Sequence, residues 1–150
     1  MAYCTLADLL GRIPLIRMIE LTDQTSPNPT GAIQSDVVDL AIKDSDAEID
    51  SYLGQRYTLP MADVPKVVNK VSIDLAVYAL YLGRVDHMPD GIESRRKHAL
   101  AILQMIVDKK MSLGIPESQA PAQAPLVAVS VFSEGPLFTM DSMSSLGGGS

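Results

Sequence analysis

Residues 64–82 read VPKVVNKVSIDLAVYALYL, and the fold turns on how this stretch is understood. Val64, Val68, Val71, Leu75, Tyr78 and Leu82 recur at three- and four-residue spacing, the signature of one face of an α-helix. Ile73, Val77 and Leu80 add a second apolar stripe. A helix that is apolar on most sides is buried on most sides. The segment therefore predicts a central helix from about Asp63, with Pro65 in its first turn, where a missing N–H costs little, ending near Gly83. Its longest mostly apolar run, Val71 to Leu82, contains Asp74 and is too short to span a bilayer. Asp74 is expected to pair with Lys70, one turn earlier.

Two further helices flank it. Upstream, Val38, Ile42, Ser45, Ile49 and Tyr52 form one stripe of a helix that Ser35 should cap and Gly54 should end. Asp36, Asp39, Lys43, Asp46 and Asp50 run down another face, with Asp44 and Glu48 beside them. Downstream, Asp90 and Glu93 have the spacing of a capping box. Ile92, Ala99, Leu103, Ile106 and Leu113 then point inward, alongside Leu100 and Val107, in a helix expected to end near Gly114. Glycine at such an end commonly supplies a left-handed residue. Before these, Thr5 and Asp8 open a short helix that Pro14 breaks, a second short piece runs to about Leu21, and Thr22 to Gly31 reads as a loop. The fold class is all-α: a small bundle of three long and about two short helices.

The character changes after Ile115. Residues 116–125 (PESQAPAQAP) form a polar, proline-bearing linker. Residues 126–150 form a C-terminal arm, in which Leu126, Val127, Val129, Val131 and Phe132 belong to an alternating, β-branched strand. A lone strand leaves backbone groups unpaired, so the expectation is either a hairpin with the segment after Gly135 or addition to another chain. The end, GGGS, reads as native or as an appended tail. Residues 1–115 make the helical body.

The 150 residues are 47% apolar and 20% charged, the composition of a globular protein of about one domain. One cysteine excludes an intrachain disulfide, and two histidines with it exclude a Cys/His zinc site. A net charge of −6 argues against a general nucleic-acid clamp, whose affinity depends on cations displacing counterions. No basic flank precedes a long apolar run, so no signal peptide is expected, and the composition is that of a soluble cytosolic protein.

Candidate chemistry is sparse. Asp44, Asp46, Glu48 and Asp50 resemble a calcium loop only in spacing: Ile49 and Gln55 stand where glycine and a bidentate glutamate are required. On a helix, residues two apart point some 200° around the axis, so these carboxylates cannot converge on one ion. Ser94 and His98 share a helix face, yet no nucleophile elbow or phosphate loop accompanies them. Cys4, near a helix start, is open to a lowered pKa, but lacks a base nearby and reads as packing. Tyr52, Tyr57, Tyr78 and Tyr81 read as core and rim rather than a base-stacking platform. No catalytic residue, metal or cofactor is expected. Arg95, Arg96 and Lys97 are the one tight basic cluster, suited to docking on an acidic partner such as the Asp46/Asp50 face of an adjacent chain.

Several segments together resemble a family of small proteins of Mu-like phages and prophages. They are Tyr3 to Leu10 (YCTLADLL), Ile19 to Asp23 (IELTD), Asp44 to Leu59 (DSDAEIDSYLGQRYTL) with Pro60, and Val64-Pro65. The helix bearing Asp74, Tyr78 and Tyr81, then Lys110 to Gly114 (KMSLG), and Phe138 to Ser142 (FTMDS) continue the likeness. The long Ala/Pro/Gln linker and Gly-rich end depart from the family pattern. The resemblance implies a head–tail connector, or head-completion adaptor, forming a ring of twelve subunits on the portal protein at the neck of the virion. Its implied partners are the portal, copies of itself and tail-side neck or tail-terminator proteins. DNA only passes through the lumen, no membrane is involved, and synthesis is in the host cytoplasm. It carries no catalytic residues; the candidate contacts are Asp46, Asp50, Arg95, Arg96, Lys97 and, in the arm, Leu126, Val127, Val129, Val131, Phe132 and Phe138. The alternative is a cytosolic helical regulator that binds a partner through the acidic helix.

Overall fold

The computed structural model describes residues 1–23, 28–84 and 88–118. Five helices follow one another: α1 (Leu6–Leu10), α2 (Leu15–Thr22), α3 (Ser35–Leu53), α4 (Lys66–Leu82) and α5 (Asp90–Val107). Among the described residues there is no strand, and the body is all-α. The arm residues Leu126 to Phe138, with the strand expected there, lie outside the described residues.

The two stripes of α4 have separate destinations. Ile73, Ala76, Val77 and Leu80 pack with Leu9, Met18, Leu21, Val38 and Ile42 from α1, α2 and α3. Val68, Val71 and Leu75 pack with Ile49 and Leu53 of α3 and Ala99, Leu103 and Ile106 of α5. Central α4 thus joins two apolar clusters, which is why its sequence is hydrophobic nearly all round. Ser45 meets Ser72 across α3 and α4 at 3.3 Å, and Glu48 of α3 meets Arg96 of α5 at 3.1 Å.

Leu82 breaks the expected pattern: it is exposed rather than buried. Near the N-terminal end of α5, Ile92 packs against the cluster that α1 to α4 share, and Ser94 and Arg95 share a cleft with Arg12. Leu82 stands on the last turn of α4, at the rim of an open groove beside α3.

Helix ends also differ from expectation. Ser35 and Asp90 are first helical residues, after Gln34 and Pro89, and neither helix has a side-chain cap. The Asp90–Glu93 box does not form; Glu93 instead pairs with Lys97 at 2.8 Å. Helix α4 starts only after Pro65. The expected box at Thr5 and Asp8 is present, with both of its reciprocal bonds. Gly54 is right-handed, but a Cβ there would stand 2.9 Å from the Asp50 carbonyl, so close approach, not a left-handed turn, calls for glycine. The third long helix stops at Val107, not near Gly114, because Lys109 takes the left-handed conformation (φ 61°). The amides of Lys110 and Met111 then return to the Met105 carbonyl. Leu113 reaches the core from this turn rather than from the helix.

Candidate functional site

Tyr3 is buried beside the acidic row of α3, which accounts for two of the expected contact residues. Its backbone N–H donates to Asp46 Oδ1 at 3.1 Å and its hydroxyl donates to Asp50 Oδ1. The Asn69 amide closes the arrangement from α4, donating to the Tyr3 carbonyl at 2.9 Å. Ser72 Oγ lies 3.4 Å from the same Asp46 oxygen. Asp46 itself is buried. Loss of water, the largest influence, pushes its carboxyl above the usual carboxylate range, while the Tyr3 N–H pulls the other way. Burial, reinforced by the Asp50 bond, also raises the Tyr3 phenol. The sequence expectation of an acidic face at Asp46 and Asp50 thus meets a network that pins the N-terminus to α3 and α4. Helical geometry separates the remaining acids of the row: Glu48 turns to Arg96 and Asp44 to solvent.

Cys4, next to this anchor, is buried in the α1–α2 cluster, and loss of water raises its thiol rather than lowering it. Lys70 and Asp74 form the expected pair at 3.6 Å. Tyr57 and Tyr81 are buried, and Tyr52 and Tyr78 half-buried.

The basic triplet does not act as one patch, because successive helical residues point about 100° apart. Arg96 is half-buried, bonded to Glu48, with its guanidinium carbon 4.8 Å from the ring centre of Tyr78. Lys97 is exposed and paired with Glu93. Arg95 is exposed and has no ion pair among the described residues. It lines an open cleft with Arg12, Lys70, Asp74, Ser94 and His98. Of the three, Arg95 is the one placed to receive a carboxylate from outside.

Arg56 was not anticipated. It follows the end of α3, and its Nη1 donates to the carbonyls of Ile106 and of Met111, the latter at 2.8 Å. Its Nη2 pairs with Glu117, and its own carbonyl accepts the Ser118 N–H at 2.9 Å. Arg56 therefore clasps the end of α5 and holds residues up to Ser118 on the body, three residues into the stretch that reads as linker. No acid lies within five residues of Arg56 in sequence, so an isolated cation after a helix end was the one available sign of a long-range partner. The compact unit accordingly runs from Met1 to Ser118. No helix among the described residues is long and apolar enough to cross a membrane.

With this geometry in place, comparison with known proteins gives two matches. The family model described as Bacteriophage Mu, Gp36 matches residues 3–131. Gene product J of Escherichia phage Mu is 26% identical over 139 residues, covering 93% of this chain and 95% of that protein.

Proposed function

Because the chain belongs to the Bacteriophage Mu, Gp36 family, we propose that it is a structural, non-enzymatic protein of the phage virion: a head–tail connector that forms a ring on the portal and bridges the DNA-filled head to the tail. The family match over residues 3–131, which spans the whole body and enters the arm, is the observation that carries the reading. The likeness of the quoted motif segments to connectors of Mu-like phages supports it.

The charge layout suits such a part. Asp36, Asp39 and Asp44 are exposed along α3, whereas Arg12 and Arg95 are exposed on the side of α1 and α5. Opposite charges on different faces favour head-to-tail contacts, which close into a ring when the rotation divides the circle. An acidic lumen would repel the DNA backbone and let it slide. In this reading Arg95 and the arm residues Leu126 to Phe138 provide outward contacts, and residues 126–132 add as a strand to a neighbouring chain.

The test is a phage carrying a nonsense codon at this gene, viewed by electron microscopy. Filled heads and complete tails that fail to join are expected, with joining restored by the protein supplied in trans. Normal joined particles without the protein would refute the connector role.

A further inference from the structure

Two exposed apolar patches sit on different parts of the body, one near Arg12 and Arg95 and the other beside Asp36 and Asp44. On α2, Leu15 and Ile16 are 56% and 73% exposed, Ile16 on the side away from the buried Met18 and Leu21 and Leu15 on the flank of the helix. Arg12 stands just before them and Arg95 shares its cleft; neither has an ion pair among the described residues. The second patch is a groove of about 280 Å³ between α3 and the end of α4, lined by Val37, Leu40, Ala41, Asp44, Ala79 and Leu82. Leu40 and Leu82 are 60% and 65% exposed on its rim. Asp36, Leu40 and Asp44 stand four residues apart and so form one row along α3. Both aspartates are exposed, without an ion pair among the described residues.

The two patches are built on different elements: α2 carries Leu15 and Ile16, whereas α3 and the end of α4 form the groove. Helix α2 packs through Met18 and Leu21 on the cluster formed by Val38, Ile42, Ala76 and Val77. The groove lies on the side where Glu48, one turn beyond Asp44, meets Arg96 of α5.

We propose that the α3–α4 groove of one copy receives the Leu15–Ile16 knob of a second copy, with Arg12 and Arg95 of the second meeting Asp36 and Asp44 of the first. Charge complementarity selects this occupant: an apolar knob with unpaired arginines fits an apolar groove with unpaired aspartates on the same chain. The contact joins two different surfaces, so each copy keeps a free knob and a free groove, and the chain propagates until it closes. A reciprocal twofold dimer would instead occupy the knob and the groove of both copies at once and stop at two chains. The proposal rests on the ring reading above and names its subunit contact.

To test it, Ile16→Cys and Leu82→Cys are combined in one full-length chain and also made singly. Each protein is treated with a short bismaleimide, both free at high concentration and in phage particles. Cys4 is buried, so the unaltered chain serves as the unreactive control. The double variant should yield a ladder of dimer, trimer and higher species, while each single variant stays monomeric. A dimer from Ile16→Cys alone, or no ladder in either preparation, would overturn the interface. The unaltered chain is sought in purified particles by mass spectrometry in parallel. A ladder from the free protein with the chain absent from particles would keep the interface and reject the virion role. The chain present in particles without a ladder would do the reverse.

Discussion

Replacing Asp46 separates an internal anchor from an outward-facing charge. Asp46→Ala removes the acceptor for the buried Tyr3 N–H and one contact of Ser72. Leaving a buried donor unpaired costs about 1–3 kcal/mol. Ser72 keeps Ser45 within reach, so the loss centres on about 2 kcal/mol, roughly 6–10 °C in Tm for a body of this size. Asp46→Asn keeps an oxygen for the Tyr3 N–H and removes a carboxylate whose ionised form burial disfavours. It should lie within about 1 kcal/mol of the parent. Urea unfolding measures both, and hydrogen exchange at the Tyr3 amide reports the anchor directly: fast in Asp46→Ala, protected in Asp46→Asn. Incorporation into particles should survive the asparagine variant. Asparagine as destabilising as alanine would show that the charge, not the acceptor, holds the N-terminus. Full stability with failed assembly would put Asp46 at an interface.

Three other outcomes follow from the same geometry. The folded Tyr3 phenol titrates above its ordinary value of 10.0, so above that pH the unfolded chain loses this proton first and stability falls as pH rises. In Tyr3→Phe, unfolding curves measured between pH 9 and 11 should show a shallower decline; an unchanged slope would remove Tyr3 as its source. Arg95→Glu should leave Tm nearly unchanged and impair assembly, whereas Arg96→Glu, which sets a carboxylate against Glu48 and Tyr78, should also lower Tm. Equal thermal effects of the two would contradict the separation of these side chains. Truncation after Ser118, which spares the Arg56 clasp, should keep helicity by circular dichroism and cooperative melting while abolishing incorporation into heads. Loss of the helical signal would make residues 119–150 part of the fold.

The parts of the fold legible in sequence are those whose cause is local. The double stripe of α4 encodes two packing partners because every fourth position of one continuous helix faces the same neighbour. The Lys70–Asp74 pair and the Thr5–Asp8 box are likewise settled within a turn. Asp46 was not legible, because its donor is a backbone N–H 43 residues away, which leaves no side-chain pattern. Arg56 hid for the same reason, with partners 50 and more residues distant. Leu82 carried the period of the buried stripe, but whether another element packs over the last turn of α4 is a tertiary fact, and there Leu82 is exposed. The helix end at Val107 depends on Lys109 accepting a left-handed conformation, a role that the sequence assigns more readily to Gly114. The basic triplet reads in sequence as one cluster, although successive helical residues point about 100° apart; which side chain stays free needed the positions of Glu48, Tyr78 and Glu93.

The central claim is that this body is a ring-forming part of the neck. Cryo-electron microscopy of intact particles, with symmetry left unimposed until the neck is resolved, tests it most directly. The account predicts a closed ring of five-helix bodies seated on the portal, each placing its α2 face in the α3–α4 groove of the next. A neck in which no density fits this body, in particles that infect normally, would contradict it.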